Sequence, residues 1–140
     1  MTPDEITAVR QSFTLVAPNA RAAGVLFYDK LFALDPSLRS LFHGDIDEQA
    51  AKLMQVLGFA VANLGKPDAL LPAVRALGQR HAGYGVRPAH YATVGAALLQ
   101  TLDAGLGDAF TSEVKAAWTT AYTVIAGEMQ SAAGEVAATH

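Results

Sequence analysis

The segment of residues 79–99, QRHAGYGVRPAHYATVGAALL, places an imidazole at the end of an apolar helical pattern. His81 shares the apolar face of this predicted helix with three residues at helical spacing, Leu70, Val74 and Leu77. Gly83 and Gly85 then favour a helix end, and Pro88 suits the first turn of the next helix. An imidazole facing an apolar interior is either satisfied by a hydrogen bond or bound to a ligand. Taken alone, the hydrogen-bonded core histidine is the more common case.

The remaining histidines, at positions 43, 90 and 140, do not form a metal-binding pattern with His81. No pair has the i, i+3 or i+4 spacing of a helical metal site, and there is no HExxH motif, so a zinc centre is poorly supported. His43 and His90 are interpreted as surface residues. The absence of cysteine excludes disulfides, thiolate metal sites, iron–sulfur clusters and covalently attached c-type haem.

Length and composition indicate one domain spanning residues 1–140, with a hydrophobic content of 51%. The net charge of −3 gives no basic surface for nucleic acid. No apolar run is long enough for membrane insertion, and the N-terminal MTPDEITAVR does not have the pattern of a signal peptide. A cytoplasmic location is therefore expected.

The elements that position His81 are predicted to be helices. Residues 2–5, Thr-Pro-Asp-Glu, form a capping box that starts a helix running to about Val16. A second, deeply buried helix follows residues 17–19 and breaks at Asp35-Pro36, after which a short helical turn ends at Leu41-Phe42.

The acidic stretch HGDIDE, residues 43–48, is predicted to be a loop, with Asp45 and Asp47 solvated since the spacing of a calcium loop is missing. Four longer helices follow: about residues 47–64, the helix carrying His81, about residues 87–106, and a last helix starting near 111–113 and fraying over about residues 131–140. No segment alternates like a strand. The chain is predicted to be all-α, with six or seven helices.

Several other side chains have ordinary interpretations when each is considered alone. Tyr28 lies on an almost wholly apolar helix, so its hydroxyl needs a partner. Gln49 and Leu53 share one face of the next long helix. Gln49 and Lys52 would usually be solvated, and Phe42 would usually be a core residue.

In combination, these segments resemble the globin family over essentially all 140 residues. FYDKLFALDPSLRSLF is similar to the globin corner that packs an aromatic ring on haem, and DEQAAKLMQVLG to the start of the distal helix. LLPAVRALGQRHAGYGV is similar to the proximal helix. HYATVGAALL and KAAWTTAYTVIA resemble the last two helices of bacterial single-domain globins and of flavohaemoglobin globin domains. The resemblance implies a globin fold around a pocket for haem b, bound non-covalently.

Carried over residue by residue, the resemblance makes His81 the proximal iron ligand and Phe42 the ring against the porphyrin. Tyr28 and Gln49 become the polar pair facing bound gas, and Leu53 lines the distal pocket. The other haem contacts that it implies are Lys52, near a propionate, Leu77, Val86, Tyr91, behind the proximal imidazole, and Val94. A glutamate typical of flavohaemoglobins falls on Ala133 here, so a neutral proximal imidazole is expected.

The resemblance implies tight binding of dioxygen, with nitric oxide and carbon monoxide as further ligands, by a monomer or weak dimer. Conversion of nitric oxide to nitrate is the expected activity. Because no flavin or nicotinamide segment follows in the sequence, turnover would need a separate reductase. The alternatives are a reversible oxygen storage or transport protein and a globin-fold sensor or interaction module.

Overall fold

The computed structural model describes residues 1–42, 44–83 and 86–139. Within these residues the chain forms six α-helices and three short 3-10 turns and has no strand. The helices are α1 (Pro3–Val16), α2 (Ala20–Leu34), α3 (Ile46–Ala62), α4 (Pro67–Gly83), α5 (Pro88–Leu106) and α6 (Ser112–Thr139). The all-α prediction is confirmed. The interpretations of His43, Gly85 and His140 lie outside the described residues.

The predicted start of α1 is confirmed in atomic detail. The Thr2 hydroxyl accepts the backbone N–H of Glu5 at 3.1 Å, and the Glu5 carboxylate accepts that of Thr2 at 2.8 Å. The break at Asp35 is also confirmed, because its carboxylate accepts the backbone N–H of Ser37 and starts the 3-10 turn Pro36–Leu41. Local side-chain hydrogen bonds therefore set these two helix boundaries.

The predicted loop over residues 43–48 requires correction, because α3 already begins at Ile46. The Asp45 carboxylate accepts the backbone N–H of Asp47 at 2.9 Å, so Asp45 is the N-cap of α3. Asp47 and Glu48 occupy the first helical turn, where the helix dipole stabilises negative charge. The Asp47 carboxylate also pairs with Arg21 of α2 at 3.0 Å on the surface.

The last helix, α6, continues to Thr139 and so includes most of the segment that is predicted to fray. Ala132 is fully buried, one helical turn after the buried Met129. The face of α6 that packs inward therefore extends past Met129, which gives a physical reason for the longer helix.

The packing divides the apolar interior into two clusters. The central cluster joins α1, α2, α3, α5 and α6 and contains Phe27, Tyr28, Leu31, Leu102 and Trp118. The α4–α6 cluster contains Ala60, Leu70, Val74, Tyr91, Ala126 and Met129. No helix in the described part of the chain is both long and apolar enough to cross a membrane.

The positions of α3 and α4 follow from what each helix packs against. The α3 helix packs on α2 and α1, and its closest approach to α2 is at Gly24, where an added Cβ would lie 2.8 Å from the Cβ of Ala50. The α4 helix packs mainly on α6. The α3 and α4 helices therefore have different supports and few close backbone contacts with each other among the described residues. We call the region between these two helices the slot.

Candidate functional site

The slot between α3 and α4 brings most of the predicted site residues to its two sides. Gln49 and Leu53 lie on α3, whereas Leu77 and His81 lie on α4. Leu53 packs against the central cluster and Leu77 against the α4–α6 cluster. The two walls therefore carry the amide and the imidazole on different helices.

His81 lies half-buried in the last turn of α4, and its ring is oriented by the backbone. Its Nδ1 is 2.8 Å from the carbonyl oxygen of Leu77, four residues earlier. Because a carbonyl oxygen can only accept, Nδ1 carries the proton and the ring lone pair lies on Nε2. The His81 carbonyl in turn accepts the backbone N–H of Val86 at 3.1 Å, which positions the chain after the helix.

The charge state of His81 is set mainly by burial, which lowers the pKa of its imidazole. The hydrogen bond to Leu77 opposes this effect, and the nearby Arg80 guanidinium lowers the pKa further. The net direction favours the neutral imidazole. A neutral ring with its lone pair on Nε2 is the form that binds a transition metal.

Tyr28 lies on the α2 side of the site within a group of aromatic rings. The ring centroids of Phe27, Phe42 and Phe32 are 5.1, 5.2 and 5.9 Å from that of Tyr28. These contacts fix the ring. Burial raises the pKa of the hydroxyl to about 12, so Tyr28 stays protonated and remains a donor near neutral pH.

The Tyr28 hydroxyl reaches Gln49, although not its side chain. It donates to the backbone carbonyl of Gln49 at 3.5 Å. An ordinary O–H···O hydrogen bond measures about 2.5–3.0 Å, so this bond is long and weak. The structure thus brings the predicted polar pair together and leaves the tyrosine hydroxyl only loosely held.

The remaining predicted contacts, Phe42, Val94, Val86 and Lys52, lie in different packing environments. Phe42 is half-buried, and its ring also contacts Phe32, with centroids 5.6 Å apart. Val94 of α5 packs against the central cluster, and Val86 packs against the α4–α6 cluster. Lys52 is exposed on α3 and makes no ion pair with another described residue.

The donor chemistry of these residues fits a haem group. Within the described residues, no three His, Cys, Asp or Glu side chains lie close enough to hold a metal ion. The site instead offers one neutral imidazole between largely apolar walls, with a lysine at the solvent side. An iron porphyrin needs one axial donor of this kind and an apolar surface for its ring.

Tyr91 is buried, and its hydroxyl oxygen has no hydrogen-bond partner among the described residues. Sequence reasoning singled out Tyr91 but not Tyr122, whose hydroxyl donates to the Tyr91 carbonyl at 2.6 Å. Burial raises the pKa of both hydroxyls. Ala133 lies one helical turn after Met129, a member of the same cluster as Tyr91. The part of the molecule where flavohaemoglobins were expected to place a carboxylate thus contains an unsatisfied phenol.

His90 also differs from its interpretation as a surface residue. It is half-buried, and its Nδ1 accepts the backbone N–H of Arg87 at 2.9 Å. Its ring therefore helps to cap α5. The sequence Arg-Pro-Ala-His, residues 87–90, allows this cap, since a side chain in the first helical turn can reach back to the N–H of the residue before the helix.

Comparisons with known proteins agree on one family. The family model described as "Globin" matches residues 25–129. A neuroglobin of Tetraodon nigroviridis is 32% identical over 135 residues, which cover 86% of this chain and 85% of that protein. A flavohemoprotein of Xylella fastidiosa (strain Temecula1) is 33% identical over 127 residues, covering 89% of this chain.

The chain spans only 32% of the length of that flavohemoprotein. Among solved structures, a hexacoordinated heme protein from an anhydrobiotic tardigrade superimposes with a TM-score of 0.86. The superposition covers 94% of each chain at 18% identity, and at that identity it establishes the fold alone.

Proposed function

The chain belongs to the globin family, and from this premise we propose that it is a haem protein that binds dioxygen tightly and converts nitric oxide to nitrate. The observation that carries the proposal is the imidazole of His81. Its Nδ1–H donates to the Leu77 carbonyl at 2.8 Å, which leaves the ring lone pair on Nε2 for an iron.

On the α4 side of the slot, the chain holds haem through His81 and apolar contacts from Leu77 and Val86. The hydrogen bond to Leu77 limits rotation of the imidazole, so the donor nitrogen keeps one direction. On the α3 side, Phe42 packs against the porphyrin and Leu53 lines the ligand space. Lys52 pairs with a propionate at the solvent edge.

Haem supplies, when bound, an iron that takes a diatomic ligand and the electronic means to oxidise nitric oxide. Tyr28 contributes the hydrogen-bond donor on the ligand side. Because the contact that holds its hydroxyl among the described residues is 3.5 Å long, the hydroxyl can turn toward a ligand that gains negative charge at little cost. The Gln49 amide is the second donor.

The overall conversion combines one nitric oxide, one dioxygen and one electron to give one nitrate. A separate reductase supplies the electron. The relationship to a flavohemoprotein supports this activity, although the matched part is only 32% of that protein. Tyr28 and Gln49 act by holding dioxygen in place for the second gas.

We further propose that Gln49 would not compete with dioxygen for a haem iron. The tardigrade neighbour, in contrast, is described as hexacoordinated. Gln49 lies on α3, on the side of the slot opposite His81, and a carboxamide is a poor iron ligand compared with an imidazole.

The second candidate is a reversible oxygen carrier, and one observation favours it. The acceptor of the His81 Nδ1–H is a neutral carbonyl and Ala133 offers no carboxylate, so the imidazole gains little anionic character. A weaker electron donation to iron is expected to suit reversible binding better than oxidative chemistry.

Absorption spectra of the purified protein in its ferric, ferrous and oxygen-exposed states test haem binding directly. A pyridine haemochrome measurement identifies haem b. Rapid mixing of the oxygen-exposed protein with nitric oxide then separates the candidates, because stoichiometric nitrate within the mixing time supports the dioxygenase. Slow nitrate formation together with easy oxygen release supports the carrier, and no retained haem overturns both.

A further inference from the structure

The contact between α4 and α6 contains the glycine at which an added Cβ would come closest to another backbone, among the glycines of the described residues. Gly78 of α4 is buried, and an added Cβ would overlap the backbone carbonyl oxygen of Met129. The same Cβ would lie 2.6 and 2.8 Å from the Cα and carbonyl carbon of Met129. Backbone atoms cannot move aside by rotating a side chain. Any residue larger than glycine at this position must push the two helices apart.

This approach differs in kind from that at Gly95 of α5. An added Cβ at Gly95 would lie 2.8 Å from the ring edge of Tyr122, which is a side chain. A ring can shift by a small rotation, whereas the Met129 backbone moves only with α6. The requirement for glycine is therefore stricter at Gly78.

Gly78 is also directly bonded to the group that orients the imidazole. The Leu77 carbonyl, which accepts the Nδ1–H of His81 at 2.8 Å, belongs to the peptide unit between Leu77 and Gly78. The contact of Gly78 with Met129 therefore presses this same peptide unit against α6. A shift at Gly78 is transmitted to the imidazole through one peptide plane and one hydrogen bond.

The position of α4 depends strongly on this contact, since α6 is the main support of α4. Leu70 and Val74 pack with Ala126 and Met129 in the α4–α6 cluster. The Arg75 guanidinium pairs with the Glu128 carboxylate at 3.3 Å and fixes the register of the two helices. No other helix offers α4 comparable packing, so the α4–α6 spacing sets where His81 lies.

We propose that Gly78 is a positioning residue, which sets the spacing of α4 and α6 and thereby the orientation of the His81 imidazole. The effect of this orientation on an iron–histidine bond rests on the proposed function. The orientation itself is a property of the protein chain and can be measured without haem.

The test compares Gly78→Ala with two control variants. Gly127→Ala adds a methyl to α6 where nothing lies within 4 Å, and Gly24→Ala crowds the α2–α3 contact on the opposite wall. In the haem-free protein, NMR measures the exchange rate of the His81 Nδ1–H proton. Gly78→Ala should raise this rate about tenfold, which corresponds to about 1.4 kcal/mol. Gly127→Ala should leave it unchanged. Gly24→Ala should lower the melting temperature without changing the exchange rate of the His81 Nδ1–H proton.

In haem-loaded samples, resonance Raman spectroscopy gives a second readout. The iron–histidine stretch should move to lower frequency in Gly78→Ala and stay in place in both controls. A folded Gly78→Ala variant with unchanged exchange and an unchanged stretch would overturn the proposal, and so would an equal effect of Gly24→Ala.

If Gly78→Ala does not fold, Met129→Ala removes a buried side chain from the same α4–α6 interface, leaves the backbone that Gly78 contacts in place, and should still speed Nδ1–H exchange. Unchanged exchange in that variant counts against Gly78. Wild-type protein that binds no haem refutes the proposed function, whereas the exchange measurement still decides the positioning role.

Discussion

On the α2–α3 side of the slot the side chain of Tyr28 is held by other side chains, whereas on the α4 side the imidazole of His81 is held by a backbone carbonyl. Tyr28 is surrounded by three phenylalanine rings, and within the described residues its hydroxyl makes one long hydrogen bond. His81 has its ring held by a backbone carbonyl on a helix that rests mainly on α6. The first arrangement leaves the proposed donor loosely held, and the second orients the nitrogen that we propose to bind iron. Substitutions on the two walls should therefore have different effects.

The largest effect is expected for His81→Ala. Removing the imidazole deletes the nitrogen that we propose to bind iron and leaves a gap on the α4 side, so haem should be lost on gel filtration or on transfer to an acceptor apoprotein. His90→Ala, which removes another half-buried imidazole, is the control and should retain haem. Unchanged haem affinity and spectrum in His81→Ala would contradict the assignment of the α4 wall.

The Tyr28→Phe variant tests the opposite wall. It should keep its haem and release dioxygen roughly tenfold to a hundredfold faster, because a hydrogen bond to a charged group is worth about 1.5–3 kcal/mol. Stopped-flow or flash photolysis measures the rate. Carbon monoxide release should change less, since that ligand develops little charge.

Tyr122→Phe is the matched control, because it removes a buried phenol hydroxyl on the α6 side. Its oxygen release should stay near that of the wild type. Equal acceleration by the two variants, or equal effects on both gases in Tyr28→Phe, would argue against a donor role for Tyr28.

Alkaline pH should lower the free energy of unfolding, because tyrosines on both sides of the slot are buried in their protonated form. Burial raises the pKa of Tyr28 to about 12, and raises those of Tyr91 and Tyr122. Because these values exceed the unfolded value of about 10, the stabilisation is full below about pH 10 and is lost as pH rises toward about 12. Urea unfolding of haem-free protein at increasing pH measures the decline. Tyr28→Phe should show a shallower decline, and an identical slope would contradict the cause given for Tyr28.

The Ala133→Glu variant should change the hydrogen bonding near His81 on the α4 side and leave the residues on the α3 side unaltered. A carboxylate near Tyr91 would give the unsatisfied phenol an acceptor and increase the anionic character of the imidazole. The iron–histidine stretch should rise, with little change in carbon monoxide release. Ala133→Gln supplies a neutral side chain of similar size as control. A wild-type stretch already at a high frequency would mean that another acceptor serves His81.

The smallest effect is expected from shortening α6. Truncation after Gln130 removes Ala132, which is fully buried, so a loss of about 1 kcal/mol is expected. Truncation after Gly134 keeps Ala132, and the difference between the two melting temperatures isolates residues 131–134. Equal stability of the two proteins would show that burial of Ala132 contributes nothing.

The sequence predicted best what neighbouring residues determine. The capping box at Thr2 and Glu5 and the break at Asp35 follow from local hydrogen bonds, and both are confirmed. The start of α3 was predicted at about residue 47 and lies at Ile46, but the loop was extended to residue 48 because acidic residues suit a loop and a first helical turn equally well. The cap made by Asp45 decides between them.

The site was predicted less completely, because its geometry depends on contacts between distant segments. Helical spacing placed His81 on an apolar face and the Leu77 carbonyl one turn before it, but spacing does not decide whether the ring turns toward that carbonyl. The role of Gly78 depends on Met129, and that of Tyr122 on Tyr91, and both partners lie tens of residues away in the chain. A buried hydroxyl without a partner among the described residues, as in Tyr91, becomes visible only when the helices are assembled.

The dependence of α4 on α6 has a consequence during protein synthesis. A ribosome produces α4 and α5 before α6, so the helix carrying His81 emerges before the helix it rests on. The α1 helix also lacks one of its partners until late in synthesis. The Trp118 indole, which donates to the Ser12 hydroxyl at 2.8 Å, comes 106 residues later. Nascent chains arrested before α6 should thus leave the imidazole unplaced, and cofactor capture should begin only once α6 has left the exit tunnel.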